Sequence, residues 1–278
     1  MSKFRSFASR RPLPFVILVT LSSHVILSLA AMLAMVVFRV DQTDPIVAPI
    51  GILTATLFLV FLLWRFGWLK AAGVAFWGCW KGWAVALFLL IYYLLELTYS
   101  FFGEISFDVP IAAVSGLRVP SLFIGGMFEE ILFRGVILYA LVSVWGTTRK
   151  GVLQAVAISA LLFGGIHSLN AISGDPSEIP GQIAIALFES IWWAAIVLRW
   201  GSIWPTVFIH VVTNWALQTQ ALGFPDYHGT VNSYTFAIIL ELPLALLGVW
   251  LILRTKLGHQ REGSTSNEKL EIDEAAGT

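Results

Sequence analysis

Three polar clusters interrupt otherwise apolar stretches of the sequence: Glu129, Glu130 and Arg134 in FEEILFRG, Phe163 and His167 in FGGIH, and His210 and Asn214 in HVVTN. A carboxylate and an imidazole together can activate a water, while a second imidazole with a side-chain amide can donate hydrogen bonds to a developing oxyanion. That set is what hydrolysis of a peptide bond requires. A zinc ion held by His167, His210 and Glu129 is the other chemistry these residue types allow. Two competing protease signatures, H-E-x-x-H and G-x-S-x-G, are absent from the sequence.

The spacing sorts the residues into roles. At about 100° per residue of helix, Glu130 and Arg134 share a face, while Glu129 points about 140° away from Arg134. Glu130 is therefore expected to pair with Arg134 within its own helix. Glu129 is expected to face another part of the bundle, as a carboxylate suited to taking a proton from water. Phe163 and His167 share a face by the same count, as do His210 and Asn214. Glu129, His167, His210 and Asn214 can thus converge from three helices, which Gly125, Gly126, Gly164 and Gly165 are expected to let approach closely.

The elements that must position them are membrane spans. A spanning helix needs about 20 mostly apolar residues, and the chain offers about eight candidates, at 13–38, 46–64, 81–99, 121–145, 152–167, 179–198, 203–222 and 234–253. The first is too long for a signal-peptide core and is read as an uncleaved span. Lys and Arg are retained on the cytoplasmic side of short loops. With both termini inside, Arg65, Lys70, Arg149, Lys150, Arg199 and Arg254 fall on the cytoplasmic side, and only Arg39 and Arg118 outside. The expected fold is all-α: a polytopic integral membrane bundle of about eight helices over residues 1–257, with the site-bearing core at 121–222. A polar tail at 258–278 has too few apolar residues to fold alone.

Composition agrees. The 278-residue chain is 58% hydrophobic and 12% charged, about half the charge of a soluble domain. A formal net charge of +0 removes the basic footprint of a nucleic-acid binder. The single cysteine, Cys79, excludes a disulfide framework. Ionisable groups within spans are costly and are functional hypotheses by default. Glu189 and Glu241 join the list on that ground, Glu189 either lining the same cavity or pairing with a neighbouring helix. His24, with no partner pattern, reads as a helix-to-helix hydrogen-bonding residue. Lys81 is expected to snorkel at the inner interface and Glu96 to lie near the outer one. Trp192, Trp193 and Trp204 read as interfacial belts and packing. Residues 101–120 form either an interfacial lid or a plain connecting loop.

At these residues the sequence resembles the CAAX protease and bacteriocin-processing family, also called the Abi or type II CAAX prenyl endopeptidase family of intramembrane proteases. Its E-E-x-x-x-R motif is met by Glu129, Glu130 and Arg134, its F-x-x-x-H motif by Phe163 and His167, and its H-x-x-x-N/D motif by His210 and Asn214. The resemblance covers roughly residues 121–222 and implies a glutamic-type endopeptidase without a metal cofactor. In it Glu129 and His167 activate water, His210 and Asn214 form the oxyanion hole, and Glu130 with Arg134 holds the site together.

The expected location is the cell membrane, with the cavity open to the extracytoplasmic face. The expected partners are the lipid bilayer and a membrane-associated or exported protein or peptide substrate, not nucleic acid. Prenylated CAAX cleavage takes place on the cytosolic side, which argues against that substrate. Bacterial members resembling this chain are linked to peptide or bacteriocin maturation, self-immunity and processing of C-terminal sorting signals. Alternatives are a catalytically idle scaffold or self-immunity protein, and a proton-coupled transporter.

Overall fold

The computed structural model of the chain describes residues 3–97, 118–172, 175–223 and 230–255. Every regular element among them is a helix. A short α1 (Lys3–Arg10) leads into α2 (Pro12–Phe38), which starts with proline where a helix has no use for an N–H. Then come α3 (Val47–Arg65) and α4 (Trp80–Leu97). The next helix, α5, begins as Arg118–Glu130, widens into a π-helical stretch over Ile131–Leu138, and ends as α-helix over Tyr139–Trp145. Four elements complete the chain: α6 (Arg149–Ile166) with a 3-10 extension (His167–Ile172), α7 (Ile179–Trp200), α8 (Trp204–Gly223) and α9 (Val231–Arg254).

Local chemistry sets several of these ends. The Thr148 hydroxyl accepts from the Gly151 N–H at 3.0 Å and caps α6, as Thr230 caps α9 by accepting from Ser233 N–H at 3.1 Å. Gly201, at φ 72°, ends α7 in the left-handed region that glycine enters freely.

Each of the eight expected spans is helical over most of its described residues. Among the described residues, five helical segments are long and apolar enough to cross a membrane: Pro12–Phe38, Val47–Arg65, Arg149–Ile172, Ile179–Trp200 and Val231–Arg254. The chain is a multi-pass membrane protein with five candidate spans among the described residues, against the about eight expected. Helix α4 offers a shorter apolar stretch, Trp80–Leu95. The surface is that of a protein solvated by lipid. Leu21, Leu29, Leu33 and Val36 of α2 point outward, while Glu130, Arg134, His210 and Glu241 are buried.

The packing brings the motif helices together. Helix α7 lies along α9 and α6, α8 packs against α4 and α5, and α3 against α2 and α5. The segment between α3 and α4 clamps the start of α8. Ile203 N–H donates to Gly73 O at 3.2 Å, Trp204 Nε1–H donates to Val74 O at 2.9 Å, and Trp204 stacks on Trp77 with ring centroids 4.5 Å apart. Gly73, at φ 74°, is required there, because a Cβ would stand 2.8 Å from Gly201 O.

Several sequence expectations need revision. Trp192 and Trp193 are not in an interfacial belt but 1% exposed in the core, since each fills the space between α7 and a neighbouring helix. His24 bonds within its own helix, Nδ1–H donating to Thr20 O at 2.8 Å, and its ring lies edge-on to Phe128 at 5.8 Å. Gly126 and Gly164 do face close neighbours, but a Cβ on Gly125 or Gly165 would meet nothing within 4 Å. Lys81 lies over the Trp80 ring at 5.8 Å. The tail at 258–278, the Glu96 side chain and the lid proposed for 101–120 fall outside the described residues, save 118–120, which open α5.

Candidate active site

The site is built on the junction where α5 widens. Glu130 ends the α-helical part and Arg134 lies in the π-helical part, yet the pair forms as the spacing predicts, Arg134 Nη1 to Glu130 Oε1 at 3.0 Å. Both side chains are buried, 1% and 0% exposed, so neither charge is affordable without the other. π-Helical widening disturbs the regular i→i−4 ladder and is frequent at functional sites. Here the buried Ser159 hydroxyl of α6 donates to the Phe133 carbonyl at 3.2 Å.

His210 of α8 stands between the two glutamates. Its Nδ1–H donates to Glu130 Oε1 at 3.0 Å, the same oxygen that receives Arg134. Its Nε2 faces Glu129 Oε2 at 3.7 Å. Glu129 is therefore aimed across the bundle, as expected from its angular separation from Arg134. It is also the more accessible of the pair, 32% exposed against 0% for Glu130. Gly126 makes this approach possible, because a Cβ there would stand 2.9 Å from Val211 Cγ2 and 3.6 Å from His210 Cγ.

Aromatic rings enclose the ions. The Arg134 guanidinium lies over Phe163 at 4.3 Å and over Trp193 at 5.0 Å, positions that favour a cation. Phe163 also meets both imidazoles, His167 at 5.1 Å and His210 at 6.2 Å between centroids. Trp193 covers His210 at 4.9 Å. His167 ends α6 with its Nδ1–H donating to the Phe163 carbonyl at 2.8 Å. In the neutral ring Nε2 then carries the lone pair.

The structure thus brings Glu129, Glu130, Arg134, Phe163 and His210 into one contiguous cluster, with His167 joined through Phe163. Glu129 and His167 do not bond to each other directly. Asn214 lies one turn beyond His210 on α8, half-buried. Glu189 is within electrostatic range of Arg134, as are Glu129 and Tyr93, so it belongs to the surroundings of this cluster. No group of three or more His, Cys, Asp or Glu is arranged to hold a metal ion among the described residues. The sequence reading missed Trp193 as a wall of the site, because a tryptophan in a span looks the same whether it faces lipid or a histidine.

Among the described residues the site is a buried carboxylate–imidazole centre within a membrane bundle. Residues 112–216 match the family model described as type II CAAX prenyl endopeptidase Rce1-like. That segment is thus similar to the CAAX protease family, and the three motifs all lie inside it. No curated protein and no solved structure matches the chain.

Proposed function

We propose that the protein is a glutamic-type intramembrane endopeptidase, and the observation that carries this is His210 held by Glu130 while facing Glu129. Glu129, the accessible carboxylate, takes a proton from a water that His167 Nε2 helps to orient. The resulting hydroxide attacks the scissile carbonyl carbon. With a proton on each ring nitrogen, His210 donates from Nε2 to the oxyanion so formed while Nδ1–H stays on Glu130, and the Asn214 amide is the second donor. Collapse of the tetrahedral intermediate breaks the C–N bond, and the proton taken by Glu129 is passed to the leaving amine. Glu130 and Arg134 remain a fixed ion pair that holds His210.

The reading needs no metal, because both roles a zinc would play, activating water and polarising the carbonyl, fall to side chains. The distribution of Lys and Arg supports a site reached from the extracytoplasmic side, so the substrate class is a membrane-anchored or exported protein cut near that surface. Comparing the membrane and secreted proteins of cells carrying wild type or Glu129→Ala tests the function. Accumulation of an uncut precursor with Glu129→Ala is expected. Identical patterns favour an idle scaffold, and stoichiometric metal whose removal abolishes cleavage would overturn the glutamic mechanism.

A further inference from the structure

Two helices outside residues 112–216 reach the site from behind. Tyr93 of α4 and Glu241 of α9 are both fully buried, and Tyr93 Oη–H donates to Glu241 Oε2 at 3.3 Å. The adjacent Tyr92 Oη–H donates to the Leu240 carbonyl at 2.8 Å. Consecutive tyrosines of one helix are thus fastened to consecutive residues of another. A carboxyl inside a span is costly, and packing α4 against α9 would be served as well by an apolar residue.

What distinguishes the two links is where they lead. The Tyr93 ring meets Trp193 edge-on at 6.4 Å, and Trp193 is the ring that covers His210 at 4.9 Å and the Arg134 guanidinium at 5.0 Å. Glu241 fixes the Tyr93 hydroxyl, the hydroxyl fixes the ring, and the ring backs Trp193. Tyr92 leads instead to the α9 backbone.

We infer that Tyr93 and Glu241 are positioning residues of the active site, holding Trp193 against His210 and Arg134 from helices outside the family segment. The inference rests on the protease reading and deepens it, adding two residues that touch neither substrate nor the reacting atoms. An edge-on ring transmits position by contact alone, so a displacement of Trp193 moves the imidazole and guanidinium it covers.

The test uses the full chain in lipid nanodiscs, with ¹⁵N-labelled histidine and with a substrate whose cleavage depends on Glu129. Tyr93→Phe and Glu241→Leu are compared with Tyr92→Phe as control, and Glu241→Gln as the variant that keeps the acceptor. His210→Gln assigns the His210 ring signals. Tyr93→Phe and Glu241→Leu are expected to shift those signals and to lower kcat about tenfold, with KM within about twofold of wild type. Tyr92→Phe and Glu241→Gln are expected to keep both. Melting temperature separates loss of fold from loss of position, and Tyr93→Phe, which removes one oxygen, decides the matter if Glu241→Leu does not fold. Unmoved His210 signals with wild-type kcat in Tyr93→Phe would overturn the role of the pair. If no substrate with Glu129-dependent cleavage is found, the protease reading falls instead, and the His210 signals report on the pair in either case.

Discussion

Glu130 and His210, 80 positions apart in the chain, are joined at 3.0 Å in the interior of the bundle. The same Glu130 oxygen receives Arg134. One carboxylate therefore ties the two ends of the family segment together, which separates its work from that of its neighbour Glu129.

Removing Arg134 should be a stability defect before it is a catalytic one. Arg134→Ala strands Glu130 in the interior, and breaking such a buried pair costs about 3–5 kcal/mol. Thermal unfolding in detergent should show a large fall, partly recovered by adding Glu130→Gln. A melting temperature unchanged by Arg134→Ala would refute the pairing.

Glu129→Gln should do the opposite. The side chain is 32% exposed and its contact with His210 is loose at 3.7 Å, so the fold should survive. Cleavage should fall by roughly 10²–10⁴, the range for loss of a general base. Retained activity in the purified variant would remove Glu129 from the mechanism.

His167→Ala should resemble Glu129→Gln, with kcat reduced by roughly 10²–10⁴ and little change in melting temperature, because His167 sits at the end of α6. Phe163→Ala should lose both. Its ring is 1% exposed and supports Arg134 and both histidines, and such truncations cost about 3–5 kcal/mol. Circular dichroism melts alongside cleavage assays tell the two variants apart.

Gly126→Ala should impair the site from a distance of one helical turn. The new methyl collides with Val211 Cγ2 at 2.9 Å, and a valine in a helix has little rotamer freedom to yield. A kcat loss of about tenfold is expected, relieved by adding Val211→Ala. Failure of the second change to help would mean that the defect arises elsewhere.

The orientation can be checked with the native cysteine. Cys79 is exposed and lies on the side assigned to the cytoplasm, so a membrane-impermeant thiol reagent should reach it only in inverted vesicles. Ser168→Cys, in a Cys79→Ser background, should label from the other face. Labelling of Ser168→Cys only from the cytoplasmic face would reverse the proposed sidedness.

The parts of the site legible in the sequence are those within one helical turn. Glu130 with Arg134 followed from a spacing of four, and the outward aim of Glu129 from its angle to them. Contacts between helices were legible only as convergence. Nothing in HVVTN says that His210 binds Glu130 with one nitrogen and faces Glu129 with the other, because that depends on how α8 crosses α5. The widening of α5 over Ile131–Leu138 was hidden for a different reason: periodicity arguments assume one turn length throughout a helix. Of two adjacent glycines, Gly126 is a contact and Gly125 is not, a distinction that composition cannot make. Tyr93 and Glu241 were separated by too much chain to be read as partners.

The clamp between the α3–α4 segment and the start of α8 makes that helix a lever with a fixed base. At 1.5 Å per residue, His210 stands about 9 Å along α8 from Trp204, and Asn214 about 15 Å. Any tilt about the clamped end moves the amide further than the imidazole. His210 is held in addition by Glu130, so the two side chains differ in stiffness: in the proposed mechanism the imidazole is the reference point, and the amide the arm that swings toward a substrate of varying shape.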